Sequence, residues 1–239
     1  MITSVQNETI KEIMKLKQKK YRDETGLFLV EGYHLVEEAK KHNAIIKLIT
    51  TDKQDYDEET IYVSSRVMEK LAFTKTPQPI MAICQKKDNN HILLNKNRYL
   101  LLDCLQDPGN VGTLLRTAIA LGYDQVIMSK DCVDLYNDKV IRATQGALFM
   151  IDVCMMDLNE AISSLQNDGV TVYGTCLENA KVIDDIARKD RMAFVMGNEG
   201  QGISKEILDI CDERMYIPIE TIESLNVAVA GALAMYHFR

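Results

Sequence analysis

Residues 98–122 read RYLLLDCLQDPGNVGTLLRTAIALG. The apolar stretch 98–106 passes through the turn Asp107-Pro108-Gly109-Asn110 into 111–122, where apolar residues recur at helical spacing and Gly122 closes the element. A buried strand feeding straight into a helix is half of a βαβ unit. The alternation continues downstream: strands are expected at 125–129, 149–155, 170–176, 191–197 and 214–219, and helices at 138–148, 158–169, 203–211 and 224–238. Apolar strands separated by helices specify a parallel sheet covered on both faces. The last helix, SLNVAVAGALAMYHF (224–238), is apolar around most of its circumference, which suits deep burial or an interface between copies of the chain through Val227, Val229, Leu233, Met235 and Phe238.

Upstream, a smaller α/β pattern occupies residues 1–90, and the polar stretch KKDNNHILLNKN (86–97) reads as a connection, with a linker at 91–97 and a larger domain at 98–239. In the first part, residues 5–20 read as one basic helix with Ile10, Ile13, Met14 and Leu16 as its apolar stripe. Strands follow at 26–32, 44–51, 60–64 and 79–86, with helices at 33–42 and 65–73. The chain has 239 residues, enough for one large or two small domains at about 150 residues each. Its net charge is −7, but residues 1–90 carry 15 bases against 14 acids and residues 91–239 carry 13 against 21. Lys11 to Arg22 alone holds six bases and one acid, a candidate phosphate-contacting element on an otherwise acidic protein; a solvated helix face is the plainer reading.

No apolar run approaches the roughly 20 residues of a membrane-spanning helix, and the first 20 residues lack the apolar core of a secretory signal. The six cysteines, at 84, 104, 132, 154, 176 and 211, are never closer than 20 residues apart. That spacing excludes CxxC zinc or redox sites and fits free thiols in a reducing cytoplasm. The four histidines show no ligand spacing, so no metal is expected.

Chemistry is expected in three loops, each following a strand, where open parallel sheets place their ligands. The first, 107–112, offers Asn110 as a helix N-cap and Arg116 on the helix beyond. The second, Gly197-Asn198-Glu199-Gly200-Gln201-Gly202, exposes backbone N–H groups. Its G-x-x-G-x-G spacing, near the end of the chain, sets aside a nicotinamide-binding Rossmann loop. The third, 217–226, carries Ser224 as a possible cap of the last helix, with Asn226 in the first turn.

Together NVGTLLR, MGNEGQGIS and IPIETIESLNVAVA resemble the three motifs of the SpoU/TrmH group of SPOUT methyltransferases, over residues 98–239. FLVEGYHLVEEA and FTKTPQPIMAI resemble that family's N-terminal substrate-binding domain. The resemblance implies an S-adenosylmethionine-dependent 2′-O-methyltransferase acting on ribose in structured RNA, with ribosomal RNA favoured over transfer RNA. It further implies a deep trefoil knot in the larger domain and a homodimer. Carried over by residue, Asn110, Arg116, Glu199, Ser224 and Asn226 are its catalytic set, and Thr175, Gly197, Ile217 and Leu225 contact the cofactor. The third segment departs from the family's I-P-M-x-G-x-x-x-S-L-N: it is one residue shorter, and Glu220-Thr221 stand where the glycine falls. Because guanidinium stays protonated, Arg116 is expected to act as a cation on a phosphate or developing alkoxide. The readings that compete are a non-catalytic RNA-binding or ribosome-associated protein on the same fold and a tRNA methyltransferase.

Overall fold

The computed structural model describes all residues except Asp88, Asn89 and Glu223; the first two fall in the expected polar connection 86–97 and the third in the third motif, outside the described residues. In chain order, the first elements are α1 (Glu8–Lys15), α2 (Lys19–Thr25), β1 (Leu27–Glu31), α3 (Tyr33–Lys41), β2 (Ile45–Thr50), β3 (Thr60–Tyr62), α4 (Ser65–Leu71) and β4 (Ile80–Gln85). Then follow β5 (Arg98–Leu102), α5 (Pro108–Ala120), β6 (Gln125–Met128), α6 (Asp138–Thr144), α7 (Ala147–Met150), β7 (Asp152–Met155), α8 (Leu158–Asn167) and β8 (Thr171–Thr175). The chain closes with β9 (Lys181–Val182), β10 (Met192–Met196), α9 (Lys205–Ile210), β11 (Glu213–Tyr216) and α10 (Val227–His237).

Two compact units result. The second comprises Asn89–Val133 and Met150–Arg239. Its strands form, among the described residues, one sheet in the order β7-β6-β5-β10-β8-β11-β9, parallel at every pairing. All residues of β6 and β10 are buried, as a sheet covered on both faces requires. One core gathers Leu101, Ile127 and Val195 from the strands with Ile162 and Leu165 of α8. Elsewhere Phe194 stacks on Phe238 with ring centroids 5.0 Å apart and on Tyr173 at 5.6 Å. α10 presses closely on α5: a Cβ at Gly231 would overlap the Leu114 side chain.

The first unit, Met1–Asp88 with Asp134–Phe149, carries the four-stranded sheet β1-β4-β2-β3, mixed in direction. Ile10, Ile13 and Leu16 pack with Val67 and Leu71 of α4 and with Ile49 and Met81 of the sheet. Segment 134–149 lies in the stretch expected to belong wholly to the larger domain, yet it packs here. The buried Arg22 guanidinium donates to the Leu16 carbonyl at 2.9 Å and pairs with Asp134. Gly146, at φ +92°, sits where a Cβ would come within 2.6 Å of Glu38 on α3. Such contacts are long-range in sequence, and periodicity carries no trace of them.

Several expected boundaries move for local reasons. The basic segment is two helices, because the chain breaks after Leu16 and restarts at Lys19. Its charge is largely engaged: Lys11 and Lys15 pair with Glu8 and Glu12 one turn back, and half-buried Lys17 donates to the Lys70 and Ala72 carbonyls. With Arg22 buried, the run is far less a phosphate-binding arm than its composition suggests. The helix expected over 138–148 stops at Thr144, where Gln145 takes a left-handed conformation at φ +48°, and α7 occupies the start of the expected strand 149–155. The short β9 was not expected.

Cutting the Arg22–Asp134 pair strands a poorly solvated carboxylate. Arg22→Met should destabilise the first unit by about 3 kcal/mol or more, and adding Asp134→Leu should restore most of the loss. Urea denaturation of the single and double variants measures both.

Candidate functional site

At the carboxyl ends of β8, β10 and β11 a cavity of about 810 Å³ opens, lined by the loops that follow these strands and by the starts of α5 and α10. Thr175, Gly197, Ile217 and Leu225, expected to contact a cofactor, all line it, and so do Asn110, Glu199, Ser224 and Asn226. Arg116 does not: it is exposed further along α5, and it has no hydrogen-bond or ion-pair partner among the described residues.

The three motifs meet in a chain of hydrogen bonds. Glu199 accepts from the backbone N–H groups of Gln106 at 3.2 Å and Asp107 at 3.0 Å, and from the Asn110 amide at 3.1 Å. Asn110 Oδ1 in turn accepts from Asn226 Nδ2 at 2.9 Å. Asn226 Oδ1 takes the N–H groups of Ala228 and Val229, which makes it the N-cap of α10. The capping assignments therefore shift. Asp107, not Asn110, caps α5, with its Oδ1 on the Asn110 N–H at 2.9 Å, and Asn226, not Ser224, caps α10. An Asx cap supplies an acceptor one residue outside the helix, so the Asn110 side chain, freed from that task, can bridge Glu199 and Asn226.

Burial alone would raise the Glu199 carboxyl, but the bonds from Asn110 and from backbone N–H groups outweigh it and hold the group below its ordinary value. A carboxylate so stabilised is an acceptor that positions the loops and a poor proton acceptor at neutral pH.

The glycine loop is held by a residue that sequence reasoning passed over. Asn198 Oδ1 accepts from Gly200 and Gln201 N–H at 2.9 and 3.1 Å, its Nδ2 donates to the Cys104 carbonyl at 2.8 Å, and its backbone exchanges two bonds with Gly202. Buried Asp103, at the end of β5, accepts from Ser204 N–H at 2.8 Å. Gly197 must be glycine, since any Cβ would overlap the backbone of Gly202 and Ile203. Met196, Met215 and Ala230 add apolar lining that was not among the expected cofactor contacts. Asn198 lies directly between the marked Gly197 and Glu199; its signal was the Asx-turn habit of asparagine, whose side chain bonds backbone N–H groups two and three residues on.

An open parallel sheet with a ligand-sized cavity at its strand ends, crossed by a polar relay from three loops, defines an α/β enzyme domain of the cofactor-binding class. Comparison narrows the class. The SpoU rRNA Methylase family model matches residues 97–236, and the MRM3-like substrate binding domain matches residues 7–82. The chain belongs to the SpoU rRNA methylase family. It is 39% identical, over its whole length and 98% of the relative, to the 23S rRNA (guanosine(2553)-2'-O)-methyltransferase RlmP of Bacillus subtilis. It is 30% identical to the uncharacterized tRNA/rRNA methyltransferase slr1673 of Synechocystis, across all of this chain and 93% of that one. Its fold superposes on the AdoMet-bound rRNA methyltransferase of Sinorhizobium meliloti with a TM-score of 0.90 at 28% identity, covering 100% of this chain and 96% of the other.

Glu199→Gln replaces an acceptor facing two N–H groups with an amide. Because the folded-state carboxyl is lowered, its contribution is present above the ordinary carboxylate value of 4.5 and is lost as pH falls through the depressed one. The variant should lose about 1–2 kcal/mol at pH 7, a figure discounted for exposure. That gap should close in strong acid, as read from denaturation midpoints of both proteins against pH.

Proposed function

We propose that this chain transfers a methyl group from S-adenosylmethionine to a ribose 2′-hydroxyl of 23S ribosomal RNA. The observation that carries the reading is the Glu199–Asn110–Asn226 relay at the mouth of the cavity, in a chain similar along its whole length to an rRNA 2′-O-methyltransferase. The cavity suits the cofactor. At about 810 Å³ it lies within the roughly 300–1,000 Å³ of ligand sites. Met196, Met215, Ile217 and Leu225 offer apolar surface for an adenine, and residues 197–202 close one wall of the cavity.

When bound, the cofactor supplies an electrophilic methyl on a sulfonium, so the protein's part is orientation and charge. Gly197 and the Asn198-clamped loop shape one wall of the cavity. Glu199 holds the start of α5 by two backbone N–H groups, and Asn110 and Asn226 tie that start to α10. Arg116, a cation with no partner among the described residues, meets the RNA phosphate and the negative charge that develops on the attacking oxygen. Ser224, on the cavity wall, stands beside the incoming ribose.

The finer features follow from the same reading. The insertion of β10 between β5 and β8, with the segment after β11 returning to α5 as α10, supports a trefoil knot in this unit. A homodimer is supported by Val229, Leu233 and Tyr236, which stand 49%, 46% and 56% exposed at helical spacing on α10. Met235 and Phe238, read from sequence as part of that face, are buried within the chain instead. The cysteines are free, and burial pushes the Cys84 and Cys211 thiols up to about 12, which suits a reducing cytoplasm.

Labelled methyl transfer to 23S rRNA transcripts tests the activity, and the absence of transfer to any ribose would overturn it. Arg116→Ala should lower turnover by about 10²–10³ and leave cofactor affinity by calorimetry near the wild-type value. Val229→Glu with Leu233→Glu should convert a sedimenting dimer to monomer at micromolar protein.

A further inference from the structure

The first unit contains a second, smaller cavity of about 190 Å³. Its floor is aromatic. Tyr136 lies tilted on Phe28 with centroids 4.7 Å apart, and the His42 ring runs within 11° of parallel to Phe149 at 6.5 Å. Phe28 and Phe149 are buried, and Lys86 Nζ stands over Tyr136 at 4.9 Å, so the ring most open to a ligand is that of exposed His42.

Beside it stand two exposed amides, Asn43 and Gln85. Among the described residues, the side chains of His42, Asn43 and Gln85 make no hydrogen bond. The described lining includes Lys86 and Lys87 and no carboxylate, and Lys86 is itself ion-paired with Asp23 at 2.6 Å. Asn43 is held in the left-handed region at φ +54° at the end of α3, which fixes its amide at the rim.

A flat ring and two amides that each offer a donor and an acceptor are the elements by which proteins receive an unstacked base. The cavity is smaller than the roughly 300–1,000 Å³ of a cofactor site, and it suits a single heterocycle. We infer that this cavity receives one unpaired nucleobase of the RNA substrate, stacked on His42 and read along its edge by Asn43 and Gln85. The inference rests on the RNA-methylation reading above and places a sequence-reading contact in the unit that lacks the cofactor cavity.

The test uses the full chain with His42→Ala, Asn43→Gly and Gln85→Ala combined. All three side chains are exposed, and glycine keeps the left-handed backbone at position 43; thermal melting verifies the fold. Affinity for a 23S rRNA transcript should fall about ten- to a hundredfold, the scale of one lost base stack. The slope of log affinity against log salt should stay unchanged, and so should turnover at saturating RNA. Equal affinities overturn the inference. A loss accompanied by a flatter salt slope also overturns it, because that marks a phosphate contact. In a second arm, ultraviolet crosslinks between the transcript and the wild-type protein should map to peptides bearing residues 42–43 or 85, and crosslinks confined elsewhere overturn it. Methyl transfer failing while these crosslinks persist defeats the methylation reading alone.

Discussion

One carboxylate organises the cavity end of the second unit. Glu199 gathers two backbone N–H groups and an amide from a segment 89–93 residues away, and Asn110 passes the connection to Asn226, a further 116 residues along the chain. Each bond alone is of ordinary strength, on the order of 1 kcal/mol. Their joint effect is geometric: the start of α5, the glycine loop and the cap of α10 can be placed relative to one another only while all three are made. The cavity's shape follows from that placement.

Much of this was legible in the sequence where the governing interaction is local. The strand–helix alternation from Arg98 onward announced the parallel sheet, because strands buried on both faces must be apolar throughout. The glycine spacing at 197–202 announced a tight loop at a strand end, but not that the N–H groups of Asn198, Gly200, Gln201 and Gly202 would be bonded within the loop itself. Eight of the nine marked site residues line the cavity, since loops at the carboxyl ends of parallel strands converge whatever the details of their turns.

What was illegible depends on choices between near-equivalent residues or on partners remote in sequence. Asp107 and Asn110 are both good caps, as are Ser224 and Asn226, and only the folded loop decides which side chain is free to bridge. Lysine composition suggested an RNA arm, but Lys17 and Arg22 serve as donors to carbonyls and a carboxylate inside the first unit. Helix periodicity could not foresee that Gln145 and Gly146, both in the left-handed region, would break the run 138–148 where it passes close to Glu38 of α3.

The membership of Asp134–Phe149 in the first unit bears on how such a protein can be rearranged. Although the two family models fall on either side of residues 83–96, the chain passes between the compact units again on either side of this segment. A fragment ending at the linker would expose the faces of α2 and α3 that Asp134 and Gly146 cover. A fragment beginning there would carry a loose sixteen-residue excursion with nothing to fold upon. The substrate-binding half is therefore not a cassette that recombination could exchange at one junction: a chimaera that keeps both halves folded must transplant residues 134–149 together with the N-terminal region.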